Sequence, residues 1–382
     1  MAATQPNSLK PQAFTDPAVL VKERDLLFRR QWHLAGLARD LPVENDWFLT
    51  EIAGTEIIVQ HTGSGQLRAF VNTCPHRFNA LVSEPSGNGR LRCSYHFWSF
   101  DGDGMPAQVP LRPGLPLEAC QTAALSLRRW QVDRCGELIF VSEAPAKNLD
   151  AFLGPLAKPL ADLSRGLGEE VLRLSQEIAA NWKVILQNTV EFDHAFAVHP
   201  DTFAPMVDRP LQIVSHETTP PHLAYHTVMK PRVGLKPIEQ RIEEIFARSV
   251  IPKMDGYTHW TLFPSSTIGT TENRQFALIR YQPISPGVTR AEYRLFVSKI
   301  AEITPVEQAI LDRVVPADVA FTRQLLEEDR RICESVQRGL NNAPPDMEGI
   351  LMPGEHLVAR FQQYWLDAMG GGALTSNSEP KG

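Results

Sequence analysis

Two short mixed motifs constrain this chain more than anything else in it: Cys74-Pro-His76 and, after 16 intervening residues, Cys93-Ser-Tyr-His96. Each places a thiol and an imidazole in one tight segment, so each can give a metal centre one sulfur and one nitrogen. Two donor sets fit: a zinc ion held by two cysteines and two histidines, or a [2Fe–2S] cluster with two thiolates on one iron and two imidazoles on the other. Zinc-finger spacings usually keep the cysteines together and the histidines together. Here each motif is mixed, which favours the iron–sulfur cluster.

The residues around these motifs carry a second layer of agreement. Asn72-Thr-Cys-Pro-His-Arg77 and Cys93-Ser-Tyr-His-Phe-Trp98 resemble the Rieske iron–sulfur family, with Arg77 and Trp98 at the flanking positions that family carries. The resemblance implies a Rieske [2Fe–2S] cluster on Cys74, His76, Cys93 and His96. Phe78 and Phe97 stand where the family commonly has glycine, and Ser94 where it commonly has proline. These departures bear on the packing around the cluster and not on its ligation.

The pattern along the chain predicts two folded regions. From about residue 17 to 40, Val19-Leu20 and Leu26-Leu27-Phe28 at helical spacing predict an amphipathic helix within an N-terminal arm of residues 1–40. From Trp47 to Val141, short apolar runs such as Glu56–Gln60, Leu67–Val71 and Leu138–Val141 are broken by Gly, Pro and Asn, the signature of a small β domain, placed at 41–145. The catalytic region is placed at 146–369. It mixes helix-like segments with alternating runs at Leu223–Val228, His259–Phe263, Phe276–Tyr281 and Glu292–Val297, predicting an antiparallel sheet packed by helices and hence an α+β class. A helical run from Glu307 to about Met369 breaks at Asn341–Pro345, and residues 370–382 read as a disordered tail.

Composition excludes several classes of partner. The net charge of −6 and pI near 6.0 argue against nucleic acid. The N-terminus lacks the apolar run of a signal peptide, and no stretch approaches the length of a membrane span. Beyond the two motif cysteines, Cys120, Cys135 and Cys333 form no disulfide framework and read as small buried hydrophobes. A reducing cytoplasm fits that cysteine usage.

A second metal signal lies in Asn181-Trp-Lys183 followed by Asn188, Glu191, His194, His199 and Pro200. Histidines five apart lie about 140° apart on a regular helix. They share one ion only if the helix ends or distorts between them, and Pro200 with Asp201-Thr202 offers an ending. Taken alone the pair also fits ordinary core or surface histidines. The Glu-x-x-His-x4-His run introduced by Asn-Trp-Lys, however, resembles the catalytic domain of Rieske-type ring-hydroxylating oxygenases.

That resemblance implies a mononuclear iron(II) held by His194, His199 and a distant carboxylate, with open positions for O2 and substrate. The segment Glu327–Leu340 resembles the family's third-ligand region and implies Asp329, with Glu328 as the alternative; periodicity alone would make it a charged helix face. It implies that Glu191 is a bridging carboxylate, orienting the second nitrogen of His194 and of His96 from an adjacent subunit. Otherwise Glu191 is a surface glutamate. Glutamate at that position, with the spacing of Asn188, resembles the branch acting on quaternary ammonium compounds such as carnitine and glycine betaine.

The resemblance therefore implies an N-terminal all-β Rieske domain and a catalytic domain of the helix-grip, START-like kind. It implies the terminal component of a multicomponent oxygenase, a homotrimer fed by a flavin/iron–sulfur reductase directly or through a ferredoxin. The expected substrate is a small quaternary or N-methylated amine, with Tyr257, Trp260 and Phe203 as candidates for a cation–π cage. The alternative is an aromatic acid or ring, with Arg232 or Arg280 as carboxylate partner. A simple electron-transfer Rieske protein or a zinc module would leave the second metal motif without a purpose.

Overall fold

A computed structural model describes residues 5–6, 9–63, 65–110, 124–208 and 213–370. Cys120 and all but the first residue of the 370–382 tail lie outside the described residues. The chain forms two units: Phe28–Ala161, and Met1–Leu27 together with Asp162–Gly382. Among the described residues no helix is long and apolar enough to cross a membrane.

β1 (Gln5–Pro6) pairs with β18 (Ile350–Leu351) in a two-stranded ribbon of the larger unit. The smaller unit is built on an antiparallel sheet ordered β2-β10-β9-β5-β4-β3-β6. Its strands are β2 (His33–Leu37), β3 (Asp46–Ile52), β4 (Thr55–His61), β5 (Leu67–Val71), β6 (Ser86–Asn88), β9 (Arg129–Cys135) and β10 (Leu138–Ser142), with a short β7–β8 pair (Ser99–Phe100, Pro106–Gln108). One face buries Phe48, Ile57, Val59, Trp130, Ile139 and Val141. The other packs Ile58, Phe70, Leu91, Trp98 and Phe100 around the two motif cysteines.

The helix predicted for residues 17–40 stops early. A helix covers Pro17–Glu23, capped by the Asp16 side chain accepting from Ala18 N–H, and a wider turn continues it to Phe28. His33–Leu37 is a strand instead. Its buried Leu34, Ala35 and Leu37 complete the edge beside β10, and this tertiary pairing overrides helical spacing. Residues 28–40 thus belong to the β unit and not to the arm.

The larger unit carries a second antiparallel sheet, β11-β17-β16-β15-β14-β13-β12. The strands are β11 (Leu167–Ile178), β12 (Ile213–Thr219), β13 (His222–Thr227), β14 (Tyr257–Leu262), β15 (Ser266–Thr271), β16 (Gln275–Ser285) and β17 (Val288–Ser298). The C-terminal helices run from Pro305 to Asn342 and from His356 to Ala368, and Thr304 and Glu307 form a capping box at the first start. The spare thiols Cys135 and Cys333 are both buried.

The helix Trp182–Thr189 starts at a hub of buried polar groups. Asn181 caps it by accepting from Lys183 N–H at 2.9 Å, and its amide donates to the carbonyls of Phe14 and Pro286 at 3.0 and 2.7 Å. Its backbone N–H donates to Gln337 Oε1 on the long C-terminal helix. Lys183 Nζ donates to Glu23 Oε1 at 2.6 Å, both side chains being 0% exposed. The indole N–H groups of Trp182 and Trp365 donate to the same carboxylate. Burial lowers the Lys183 pKa, and the Glu23 carboxylate works against that shift.

Removing one partner of such a pair leaves a buried charge alone, so Lys183→Met is expected to cost about 3–5 kcal/mol. Adding Glu23→Gln, which removes the unpaired charge and keeps an acceptor for one of the two indoles, should recover part of it. Denaturant midpoints of the metal-loaded protein check this, and an unchanged midpoint for Lys183→Met would refute it.

Candidate metal centres

The two mixed motifs form a matched pair of loops. Phe78 N–H donates to Cys74 C=O at 2.9 Å and Phe97 N–H to Cys93 C=O at 3.0 Å. Cys74 N–H donates to Asn79 C=O and Cys93 N–H to Trp98 C=O, each at 2.8 Å. Closing these turns puts Phe78 and Phe97 at φ 61°. A side chain in that left-handed region costs about 1–2 kcal/mol, which glycine avoids.

Both thiols are buried, while His76 is exposed and His96 half-buried. The imidazoles lie side by side with centroids 4.6 Å apart, and His76 stacks on Trp98 at 4.7 Å. Burial resists ionisation of Cys93, but the backbone N–H groups of Tyr95 and His96 turn toward its sulfur and bring its pKa below the usual thiol value. Burial, with the nearby His76 and Arg77, depresses His96 and favours the neutral ring a metal requires.

The donor geometry discriminates between one metal and two. Among the described residues, one group of three donors gathers within 4.8 Å, and it is His194, His199 and Asp329. The four motif donors make no such group, as a single tetrahedral zinc would require. The two cysteines are buried and the two histidines more exposed, and His96 Nδ1 is a buried atom with no hydrogen-bond partner. That arrangement fits a two-metal cluster bridging buried thiolates to outer imidazoles.

The second centre forms where the helix beginning at Trp182 gives out at Thr189. A separate short turn, Ala195–Val198, follows, with His194 and His199 at its two ends. His199 is no longer helical (φ −116°, ψ 46°), so the ring centroids come within 5.3 Å despite the five-residue spacing. Their Nε2 atoms lie 3.7 Å and 3.1 Å from the same oxygen, Asp329 Oδ1, on the long C-terminal helix.

Each histidine is gripped from behind by a glutamate. His194 Nδ1 lies 2.5 Å from Glu191 Oε1, and His199 Nδ1 lies 2.8 Å from Glu328 Oε2. A carboxylate can only accept, so each pairing places the ring proton on Nδ1 and leaves the Nε2 lone pair facing Asp329. Lone pairs and carboxylate converging on one point repel unless a positive charge lies between them. Burial opposes protonating His199, but the Asp329 and Glu328 carboxylates outweigh it and its pKa is raised. A divalent cation would meet the same demand.

The remaining candidates fall around this point. Asn188 Nδ2 donates to Asp329 Oδ1 at 2.9 Å. Glu328, the alternative ligand, accepts from His199, from Thr202 Oγ1 at 2.7 Å and from Gln324. It therefore positions a ligand ring and does not face the metal position. A cavity of about 210 Å³ opens beside the three donors.

Tyr257 and Phe203 line that cavity, but Trp260 does not, because alternation on β14 turns it away while Tyr257 and His259 share the cavity face. Four further aromatic side chains line it that the sequence reading missed: Phe192, two residues before His194, Tyr225, which pairs with His259 in register, Tyr281 and Phe321. Arg232 pairs with Glu243 and Glu272 and Arg280 with Glu292, and neither lines the cavity.

Similarity to known proteins agrees with this layout. Residues 31–120 match the Rieske [2Fe-2S] domain, and residues 166–371 match the ring hydroxylating alpha subunit (catalytic domain). The carnitine monooxygenase oxygenase subunit of Acinetobacter pittii is 24% identical over 364 residues, covering 91% of each protein. The anthranilate 1,2-dioxygenase large subunit of Acinetobacter baylyi is 31% identical over 195 residues, covering 49% of this chain and 41% of that protein. A quaternary ammonium Rieske monooxygenase crystallised with L-carnitine shares the fold, with a TM-score of 0.75 at 22% identity over 96% of both chains.

Asp329→Ala or His194→Ala should remove about one of three irons per chain while the visible absorption of the cluster persists. Glu328→Gln should keep the ligands but weaken iron binding about 10–100-fold, read as faster loss to a chelator. Full iron retention in Asp329→Ala would rule out this donor set.

Proposed function

The chain belongs to the ring-hydroxylating oxygenase alpha subunits, terminal components carrying a Rieske [2Fe–2S] cluster and a mononuclear iron, and from that premise we propose that it hydroxylates or oxidatively N-dealkylates a small quaternary or N-methylated amine. The observation carrying this reading is a closed circuit of four aromatic rings in the cavity wall. Phe192 meets Tyr225 at 4.3 Å, Tyr225 meets Tyr257 at 6.1 Å, Tyr257 meets Phe203 at 6.2 Å, and Phe203 returns to Phe192 at 6.2 Å. Aromatic rings lining a cavity attract an organic cation, most strongly where water is excluded.

When bound, the cluster supplies single electrons and the mononuclear iron supplies the site of O2 reduction. His194, His199 and Asp329 would hold that iron through two Nε2 atoms and a carboxylate. Glu191 and Glu328 keep the ligand protons on Nδ1, and Asn188 fixes the orientation of Asp329. The aromatic circuit would orient a methylammonium head beside the iron, while Met206, Met229, Leu325 and Leu326 keep the cavity dry. His259, stacked on Tyr225 at 5.0 Å, is held neutral by burial, its pKa lowered to about 3, so it adds no competing charge.

Glu191 and Asn188 also line a second hollow, an outer cleft of about 500 Å³. They thus form a wall between the substrate cavity and the outside. This supports a head-to-tail ring of three copies in which the cluster of one copy faces Glu191 of the next. A flavin/iron–sulfur reductase, directly or through a ferredoxin, would supply the electrons in a reducing cytoplasm.

An aromatic acid is the competing substrate class, favoured by the partial match to the anthranilate enzyme. Among the described residues lining the cavity there is no lysine or arginine to receive its carboxylate. Substrate-stimulated O2 uptake with a surrogate reductase, across betaines, N-methylated amines and aromatic acids, separates the two. Coupled uptake is expected with the amines, and Phe203→Leu should raise their KM about tenfold at full iron content. Coupled uptake with aromatic acids alone would overturn the reading.

A further inference from the structure

The smaller unit leaves its most exposed aromatic side chains at one place. Phe78 is 81% exposed, Phe97 55% and Tyr95 50%, and all three belong to the two cluster loops. Phe78 and Phe97 each occupy the strained left-handed conformation described above. The hydrogen bonds that close the loops come from their backbone N–H groups, which glycine would provide as well. Closing the loops therefore does not call for the rings. Arg92 lies over the Phe97 ring at 4.7 Å and Arg77 over the Tyr95 ring at 5.2 Å, so the apolar tip is also basic.

The outer cleft beside Glu191 has the opposite character. It is lined by Leu9, Phe14, Leu340 and Leu351, with exposed Met347 and Ile350 at its edge. Among the described lining residues the charged groups are Glu191 and Glu355, with no lysine or arginine. An apolar, basic tip and an apolar, acidic cleft are complementary in apolar character and in sign of charge.

We propose that Phe78 and Phe97 anchor the cluster loops of one copy in the Glu191 cleft of a second copy, with Arg77 and Arg92 facing its carboxylates. This rests on the head-to-tail reading above and names the side chains that hold it. Burial in the neighbour's cleft accounts for two aromatic residues retained at positions where glycine would relax the backbone.

The test is the Phe78→Gly/Phe97→Gly holoenzyme, which relieves the strain and touches no metal ligand. Cluster absorption and thermal midpoint are first compared with wild type, and both should be equal or better in the variant. Sedimentation velocity should then show association weakened at least tenfold. Reoxidation of the reduced cluster by O2 with substrate should slow to match, and recover at high protein concentration. An equally assembled variant with unchanged reoxidation would overturn the proposal while leaving the head-to-tail reading intact. Unchanged assembly with a tenfold weaker response to reductase would overturn it too, assigning the rings to the reductase. A wild-type holoenzyme that stays monomeric would remove the head-to-tail reading itself, and the proposal with it.

Discussion

The arrangement of the catalytic unit depends on the buried polar hub at Asn181-Trp182-Lys183. Within three residues the chain caps a helix, binds the N-terminal arm through Phe14 and Glu23, reaches the β16–β17 turn through Pro286 and grips the long C-terminal helix through Gln337. The two helices fixed there carry three of the metal-site side chains. Asn188 lies on one, Glu328 and Asp329 on the other. A buried ion pair is a weak source of net stability, because desolvation offsets most of the attraction. Its value here is registry. Lys183 donates to the Glu23 carboxylate, which also accepts from indoles on two helices.

From this registry follows the symmetry of the metal site. Each histidine stands between two carboxylates, Glu191 or Glu328 behind and Asp329 in front. The rear partners set the tautomer and the front oxygen completes the donor set, so five side chains from a loop and a distant helix act as one unit. Asn188 adds a donor to Asp329 and ties that helix to the loop's own end. Glu191 differs from Glu328 in standing between the cavity and the outer cleft. That position is the basis for proposing that Glu191 is shared with a neighbouring molecule.

The segments whose resemblance implies the chemistry are local. Mixed Cys/His motifs, the Glu-x-x-His-x4-His run and the Glu-Asp pair on a charged helix each fit within a few residues. What was not legible depends on distant parts of the chain. The Glu328 role needed the position of His199, and the aromatic circuit needed β13, β14 and two loops folded together. Trp260 was misassigned because strand alternation, invisible without the register, sends it to the opposite face from Tyr257. β15, Ser-Thr-Ile-Gly-Thr-Thr, is nearly all buried yet gives no apolar alternation to read. The strand at His33–Leu37 was hidden by helical spacing just before it.

Glu191, held on His194, is proposed to couple the cluster of one copy to the iron of another. The direct measurement is single-turnover reoxidation of the prereduced Glu191→Gln holoenzyme, followed at the cluster absorption with O2 and substrate present. The account predicts full content of both metals and reoxidation slowed about 10–100-fold. Reoxidation at the wild-type rate, with both metals in place, would contradict it.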